Sequence, residues 1–248
     1  MTDKKIYFAS DFHLGFDAYL TSTEREKLIV SWLESIEESA AHIYLVGDLF
    51  DYWYEYAQVV TKGHFRLFAK LNTFIRKGIA VTILTGNHDM WMGKYITDEI
   101  GATLHYDPVV QEHFGKKLFI AHGDGLGPGD YGYKFIKKVF RNKICQFLFS
   151  RLHPNFAISL MKFFSNTSRG EAIKEVIPEK ERQILFSEAH SQANSIDFYI
   201  MGHRHLPMDH TLANKHSRYV NLGDWINHFS YAVLDDSGIS IQYFKQED

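Results

Sequence analysis

The stretch IAVTILTGNHD, residues 79–89, closes an apolar run with a glycine and follows it with an amide, an imidazole and a carboxylate: Asn87, His88 and Asp89. Gly and Asn form ordinary turns, so the triplet alone reads equally as a turn or as one corner of a reactive site. The pattern recurs along the chain. KIYFAS (5–10) leads into Asp11 and His13, and HIYLV (42–46) into Asp48. KLFIA (117–121) leads into His122, and DFYIM (197–201) into His203 and His205. Each run is rich in branched or aromatic residues, as buried strands are. Open α/β sheets build their sites beyond the carboxyl ends of their strands, and each of these polar groups stands at such an end.

Helical patterns separate the first three runs. Residues 23–39 open with Thr23 and Glu26 at capping-box spacing. Leu28, Ile29, Trp32, Leu33 and Ile36 then follow at helical period. Residues 64–77 place Phe68, Leu71, Phe74 and Ile75 on one face, with Gly78 as the stop. The order β-α-β-α-β predicts an α/β fold with a parallel or mixed sheet covered by helices. A hairpin is expected over 109–121, turning near Gly115, and three strands within 218–244: RYVNL, SYAVLD and ISIQYF.

A chain of 248 residues, 45% of them hydrophobic, fits one large domain or one domain with an insert. A net charge of -3 argues against nucleic acid as a partner. Cys145 is the only cysteine, so no disulfide forms within the chain and a reducing compartment is expected. No segment approaches about 18 consecutive apolar residues, and no leader is visible; a soluble cytoplasmic protein is expected. One segment stands apart. Tyr131 to Gly170 holds eight Lys or Arg, no Asp or Glu, and seven of the 20 phenylalanines. This +8 stretch sits in a chain of -3, so the other 208 residues carry -11. Phe135, Ile136, Val139, Phe140, Ile144, Phe147 and Leu148 follow a helical period, and a second pattern follows Pro154. A helical cap insert is expected over 125–189, with the core formed by 1–124 and 190–248.

The residue types at the strand ends favour metal chemistry. Asp11 and His13, like His203 and His205, are two apart, a spacing that turns both side chains of an extended pair to one side. Carboxylate, amide and imidazole donors without thiolate suit Mn, Fe or Zn. Seven candidate ligands are too many for one ion and right for two, with Asp48 as the natural bridge.

The motifs D-x-H, GD-x-x-D, GNHD, H-G-D and GH-x-H, in this order, resemble the calcineurin-like metallophosphoesterase superfamily. The resemblance implies a four-layer β-sandwich of mixed sheets flanked by helices. It implies one divalent ion on Asp11, His13, Asp48 and His205, and a second on Asp48, Asn87, His122 and His203. Mn²⁺ is favoured, with Fe or Zn as alternatives. It further implies His88 as the catalytic imidazole and Asp51 as the group that orients it.

Within that superfamily the helical insert after H-G-D, and Tyr133 in it, resemble the UDP-2,3-diacylglucosamine hydrolases of lipid A biosynthesis. Those enzymes split a pyrophosphate into UMP and 2,3-diacylglucosamine 1-phosphate. The resemblance implies substrate contacts at Asn87, Tyr133, Lys162, Ser165 and Arg169. It implies a lipid-linked nucleotide substrate, peripheral association with the cytoplasmic face of the inner membrane, no nucleic acid and no obligate protein partner. Many members read GNRD and GHTH where this chain has GNHD and GHRH. The alternative is a metallophosphoesterase acting on another phosphodiester or nucleotide pyrophosphate. A non-enzymatic module would be marked by lost ligands, and none is missing.

Overall fold

The computed structural model describes residues 4–168, 177 and 180–244, with 164–168 described by their helical backbone alone. Eleven strands and six α-helices alternate through the described residues. The first half runs β1 (Lys5–Ala9), α1 (Ser22–Ile36), β2 (Ala40–Val46), α2 (Phe65–Arg76), β3 (Ala80–Leu84) and β4 (Thr103–His105). The hairpin β5 (Val109–His113) and β6 (Lys116–Ala121) follows, then α3 (Tyr131–Arg141), α4 (Lys143–Phe149) and α5 (Pro154–Ser168). The chain closes with α6 (Arg182–Ser191), β7 (Phe198–Met201), β8 (Met208–Thr211), β9 (Arg218–Asn221), β10 (Ser230–Asp235) and β11 (Gly238–Tyr243).

Two mixed sheets form, in the strand orders β11-β10-β1-β2-β3-β4 and β5-β6-β7-β9-β8. β1, β2, β3 and β4 run parallel, as do β6, β7 and β9. Side chains alternate across each strand, and the alternation sorts the core into layers. Ile6, Phe8, Tyr44, Val46 and Leu84 meet Leu118, Ile120, Phe198 and Val220 between the sheets. On the outer face of the first sheet, Ile43, Leu45, Val81 and Ile83 pack on Ile29, Trp32 and Leu33 of α1 and Leu71 and Phe74 of α2. On the outer face of the second, Phe119, Tyr199 and Tyr219 pack with Ile184 of α6. The result is the expected helix–sheet–sheet–helix sandwich. Within the segment read as the insert, α3, α4 and α5 form the helical part that stands off the sheets, whereas α6 joins the core.

Several local expectations change. TSTERE (21–26) contains two overlapping capping boxes, and the helix uses the earlier one: Thr21 caps α1 with Glu24 as its reciprocal partner. Glu26 serves a different helix, for its carboxylate accepts from the backbone N–H of Arg66 and Leu67 at the start of α2, at 2.9 and 3.2 Å. The single helical pattern over 135–148 is two helices. Asn142 breaks it, and its side chain caps α4 by accepting from Ile144 and Cys145 N–H. One π-helical turn, Tyr95–Ile100, was not foreseen; Glu55 holds it by accepting from Gly93 and Tyr95 N–H. Among the described residues no helix is long and apolar enough to cross a membrane.

Candidate dinuclear metal centre

The loops leaving β1, β2, β3, β6 and β7 converge at one end of the sandwich. Asp11, His13 and His205 bring ligand atoms within 4.8 Å of one another, as do Asp48, His122 and His203. His205 Nε2 lies 3.2 Å from Asp11 Oδ1 and 3.1 Å from His13 Nε2, while His122 Nε2 lies 3.2 Å from Asp48 Oδ2 and from Asn87 Oδ1. Asp48 Oδ2 is also 3.8 Å from His13 Nε2, so this carboxylate spans the two groups. Each of the seven residues read as ligands is therefore in this one cluster.

The backbone is bent to put them there. Asp11, His13, Asp48, His203 and His205 all have positive φ, between 44° and 70°. Non-glycine residues rarely occupy that region, and such strain persists only where the surroundings over-determine it. The surroundings here are close backbones. A Cβ on Gly86 would lie 2.2 Å from Asp48 Oδ1, and one on Gly47 2.5 Å from His122 Nδ1. Only glycine lets the 47–48 and 86–88 turns approach this closely, and His88 N–H then donates to Asp48 Oδ1 at 2.8 Å. Asp89, buried beside them, accepts from Gly86 N–H at 2.7 Å and Leu49 N–H at 2.7 Å, stitching the two turns together.

The electrostatics fit a cation pair. Asp11 Oδ1 and His13 Nδ1 are buried without a hydrogen-bond partner, a costly state for a polar atom unless something else satisfies it. Burial opposes ionisation of Asp11 and Asp48. The surrounding imidazoles, His205 foremost for Asp11 and His122 for Asp48, nevertheless hold both carboxyls well below the ordinary range. Burial likewise disfavours a charged His205, yet Asp11 and Asp224 lift it to about 10. His122 is raised by Asp48 against the same penalty. The carboxylates thus favour the protonated form of two neighbouring imidazoles, and divalent ions displace such protons. His88 and His203 are pushed down to about 4 by burial and are neutral at pH 7.

His88 Nδ1 sits 3.1 Å from the backbone carbonyl of Asp51 and 3.7 Å from its carboxylate, which is itself 3.7 Å from His13 Nδ1. Asp51 thus reaches His88 through its main chain as well as its side chain. Tyr133 donates its hydroxyl hydrogen to Asp124, which also pairs with Lys137. Its ring centroid is 6.4 Å from that of His203. Lys162 lines a separate cavity of about 350 Å³ with Asp51, Tyr52, His64 and Ile158. Ser165 lies on the α5 backbone, where side chains are not described, and Arg169 falls outside the described residues.

Three supporting groups escaped the sequence reading. Asp224, fully buried after β9, lies 3.4 Å from His205 Nδ1 and 3.1 Å from His228 Nδ1. Its signal was present, since RYVNLGD is a sixth apolar run with a carboxylate at its end. Asp124 is the acid of the H-G-D motif itself. Arg25 gave no signal. It looks like a surface residue of α1, but its buried guanidinium donates to the carbonyls of Phe12, His13, Phe16 and Leu20. It clamps the loop that carries Asp11 and His13.

Two sheets, five converging loops and a paired carboxylate–imidazole cluster define a metallophosphoesterase framework, and the chain belongs to the calcineurin-like phosphoesterase family, whose model matches residues 4–207. It is 37% identical to the UDP-2,3-diacylglucosamine hydrolase of Porphyromonas gingivalis, over 96% of this chain and 97% of that one. It is 31% identical to the enzyme of the same name from Neisseria meningitidis, over 94% and 95%. A hypothetical protein of Pyrococcus horikoshii shares the fold at a TM-score of 0.50 and 12% identity, covering 98% of this chain and 88% of that one.

Proposed function

We propose that this chain hydrolyses the pyrophosphate of UDP-2,3-diacylglucosamine to UMP and 2,3-diacylglucosamine 1-phosphate, with two divalent ions, Mn²⁺ foremost. The observation that carries this reading is the 37% identity to a relative of that name across nearly the whole of both chains, cap included. Asp11, His13, Asp48 and His205 would hold one ion, and Asp48, Asn87, His122 and His203 the other. When bound, such a pair supplies Lewis-acid charge to the phosphoryl oxygens and lowers the pKa of water.

The chain's own groups do the positioning. Asp224 supports His205, and Arg25 fixes the loop of Asp11 and His13. His88 directs Nδ1 to the Asp51 carbonyl, which fixes the orientation of its ring beside the cluster. Held neutral by burial, it brings no fixed positive charge to the site. The cap faces lipid. Phe140 and Phe149 pack inward on Trp91, with ring centroids at 5.4 and 4.8 Å. Phe135, Ile144, Phe147 and Phe156 stand 58–69% exposed among cationic residues. Apolar side chains beside Lys and Arg suit an anionic lipid surface, so the protein works at the inner-membrane surface.

The deciding experiment incubates the purified chain with UDP-2,3-diacylglucosamine and Mn²⁺ and follows UMP release. Absence of UMP, with Mn²⁺-dependent cleavage of bis(p-nitrophenyl) phosphate retained, would leave a phosphoesterase of another substrate.

A further inference from the structure

A polar cavity of about 230 Å³ opens at the His203 end of the cluster. Its walls come from the loop after β6 (Gly123, Gly125), the residues entering α6 (Lys180, Arg182) and the turn of His203 and Arg204. Because His203 belongs to the Asp48–His122–His203 group, this cavity adjoins that group directly.

The charges of the cavity are sorted. Two acids, Asp130 and Glu181, face three cations. Asp130 accepts from Arg182 Nη1 at 2.7 Å, and Glu181 from Arg204 Nε at 2.9 Å. Arg204 spends only its Nε on that pair. Its two Nη groups make no hydrogen bond among the described residues, and its side chain is 42% exposed. With both acids matched by arginines, Lys180 supplies a surplus positive charge. The guanidinium edge is held at a fixed angle, a geometry suited to a pair of carbonyl acceptors on a rigid ring.

A second cavity lies beside Asp51. The cavity of about 350 Å³ beside Asp51 is lined by Leu14, Tyr52, Phe65 and Ile158 of α5, together with the charged Glu26, Lys62, Arg66 and Lys162. The two cavities differ in what the cap and the apolar side chains give them: α5 contributes Ile158 and Lys162 to the one beside Asp51, whereas no residue of α4 or α5 lines the one beside His203.

We propose that the cavity of Lys180, Arg182 and Arg204 receives the nucleotide half of the substrate, with Arg204 and Lys180 as its specificity-determining residues. This rests on the pyrophosphatase reading above and adds its polarity: the nucleoside monophosphate leaves from the His203 end, and the lipid half occupies the Asp51 end.

The test titrates Mn²⁺-loaded full-length protein with UMP, uridine and inorganic phosphate by calorimetry, for wild type, Arg204→Ala, Arg204→Lys and Lys180→Ala. Loss of a charge-assisted hydrogen bond weakens binding roughly ten- to a hundredfold. That loss is expected for UMP with Arg204→Ala, a smaller loss with Arg204→Lys, and little change for inorganic phosphate. Lys180→Ala is far from the ligand loops in sequence, and it decides the matter if Arg204→Ala alters metal content by elemental analysis. UMP binding equal to wild type in Arg204→Ala and Lys180→Ala overturns the proposal, as does equal weakening of UMP and inorganic phosphate. Those results would leave the pyrophosphatase reading standing. That reading fails separately, if wild type binds UMP but releases none from UDP-2,3-diacylglucosamine.

Discussion

In the strand-end cluster Asp11, His13, Asp48 and His122 are at most 3% exposed, while in the cap α3 and α4 have no buried residue and six large apolar side chains stand in solvent. The first region places charge where water cannot reach and spends backbone strain to do so. The second leaves apolar surface where water does reach. Each arrangement is unfavourable in isolation and points to a partner absent from the chain: cations for the first and, in the function proposed above, a lipid for the second. Buried charge without its partner shifts pKa values and orphans polar atoms, as seen here. An exposed apolar face on a monomer marks an interaction surface.

The comparison is broken most severely at Asp48. Asp48→Ala removes the carboxylate that spans the two groups. We expect at least about a 10³-fold loss in kcat, together with loss of bound metal by elemental analysis. A variant that retained both metal and turnover would mean that the cluster is structural.

The next effect falls on the buried clamp. Arg25→Met leaves the carbonyls of Phe12 and His13 without their donor, so urea unfolding should show a loss of about 2–4 kcal/mol. A Met that fits at no cost would show that the loop holds itself.

A smaller effect separates buried charge from ordinary burial. His64, 7% exposed at the start of α2, is pushed down to about 4 by burial, against the ordinary imidazole value of 6.5. The unfolded state then binds more protons between these values, so stability rises with pH from about 4 to 6.5 and falls on acidification through the same window. His64→Gln should flatten this slope by roughly 2 kcal/mol, read from urea midpoints at pH 4.5 and 7. An unchanged slope would place the acid sensitivity elsewhere.

The smallest effect on stability is expected in the cap. Ile144→Ser with Phe147→Ser, both exposed on α4, should alter unfolding free energy by no more than about 0.5 kcal/mol. The same pair should weaken sedimentation with anionic vesicles by roughly tenfold, given about 0.8 kcal/mol per buried CH₂. A large destabilisation without change in vesicle binding would recast these side chains as packing.

Much of this molecule is legible in one dimension. Strand composition and the polar residue after each run are local properties, so the seven residues of the cluster can be read as a set. The Gly78 stop and the turn at Gly115 are local too, because positive φ there suits glycine. Errors arise where two local solutions compete. TSTERE offers two capping boxes of equal spacing, and the choice depends on where α1 docks and on Glu26 being drawn to α2. Arg25 was invisible because its partners are backbone carbonyls, which carry no residue type.

The sequence by itself determined the order of strands and helices, the donors at the strand ends and the cationic, Phe-rich segment, because each follows from residue type and spacing. Only the tertiary structure decided which imidazole meets which carboxylate, which face of the cap stays wet and that a cationic cavity adjoins His203. Those outcomes depend on how two sheets pack and how closely two glycine turns approach, and such distances between remote residues are not written in any local pattern.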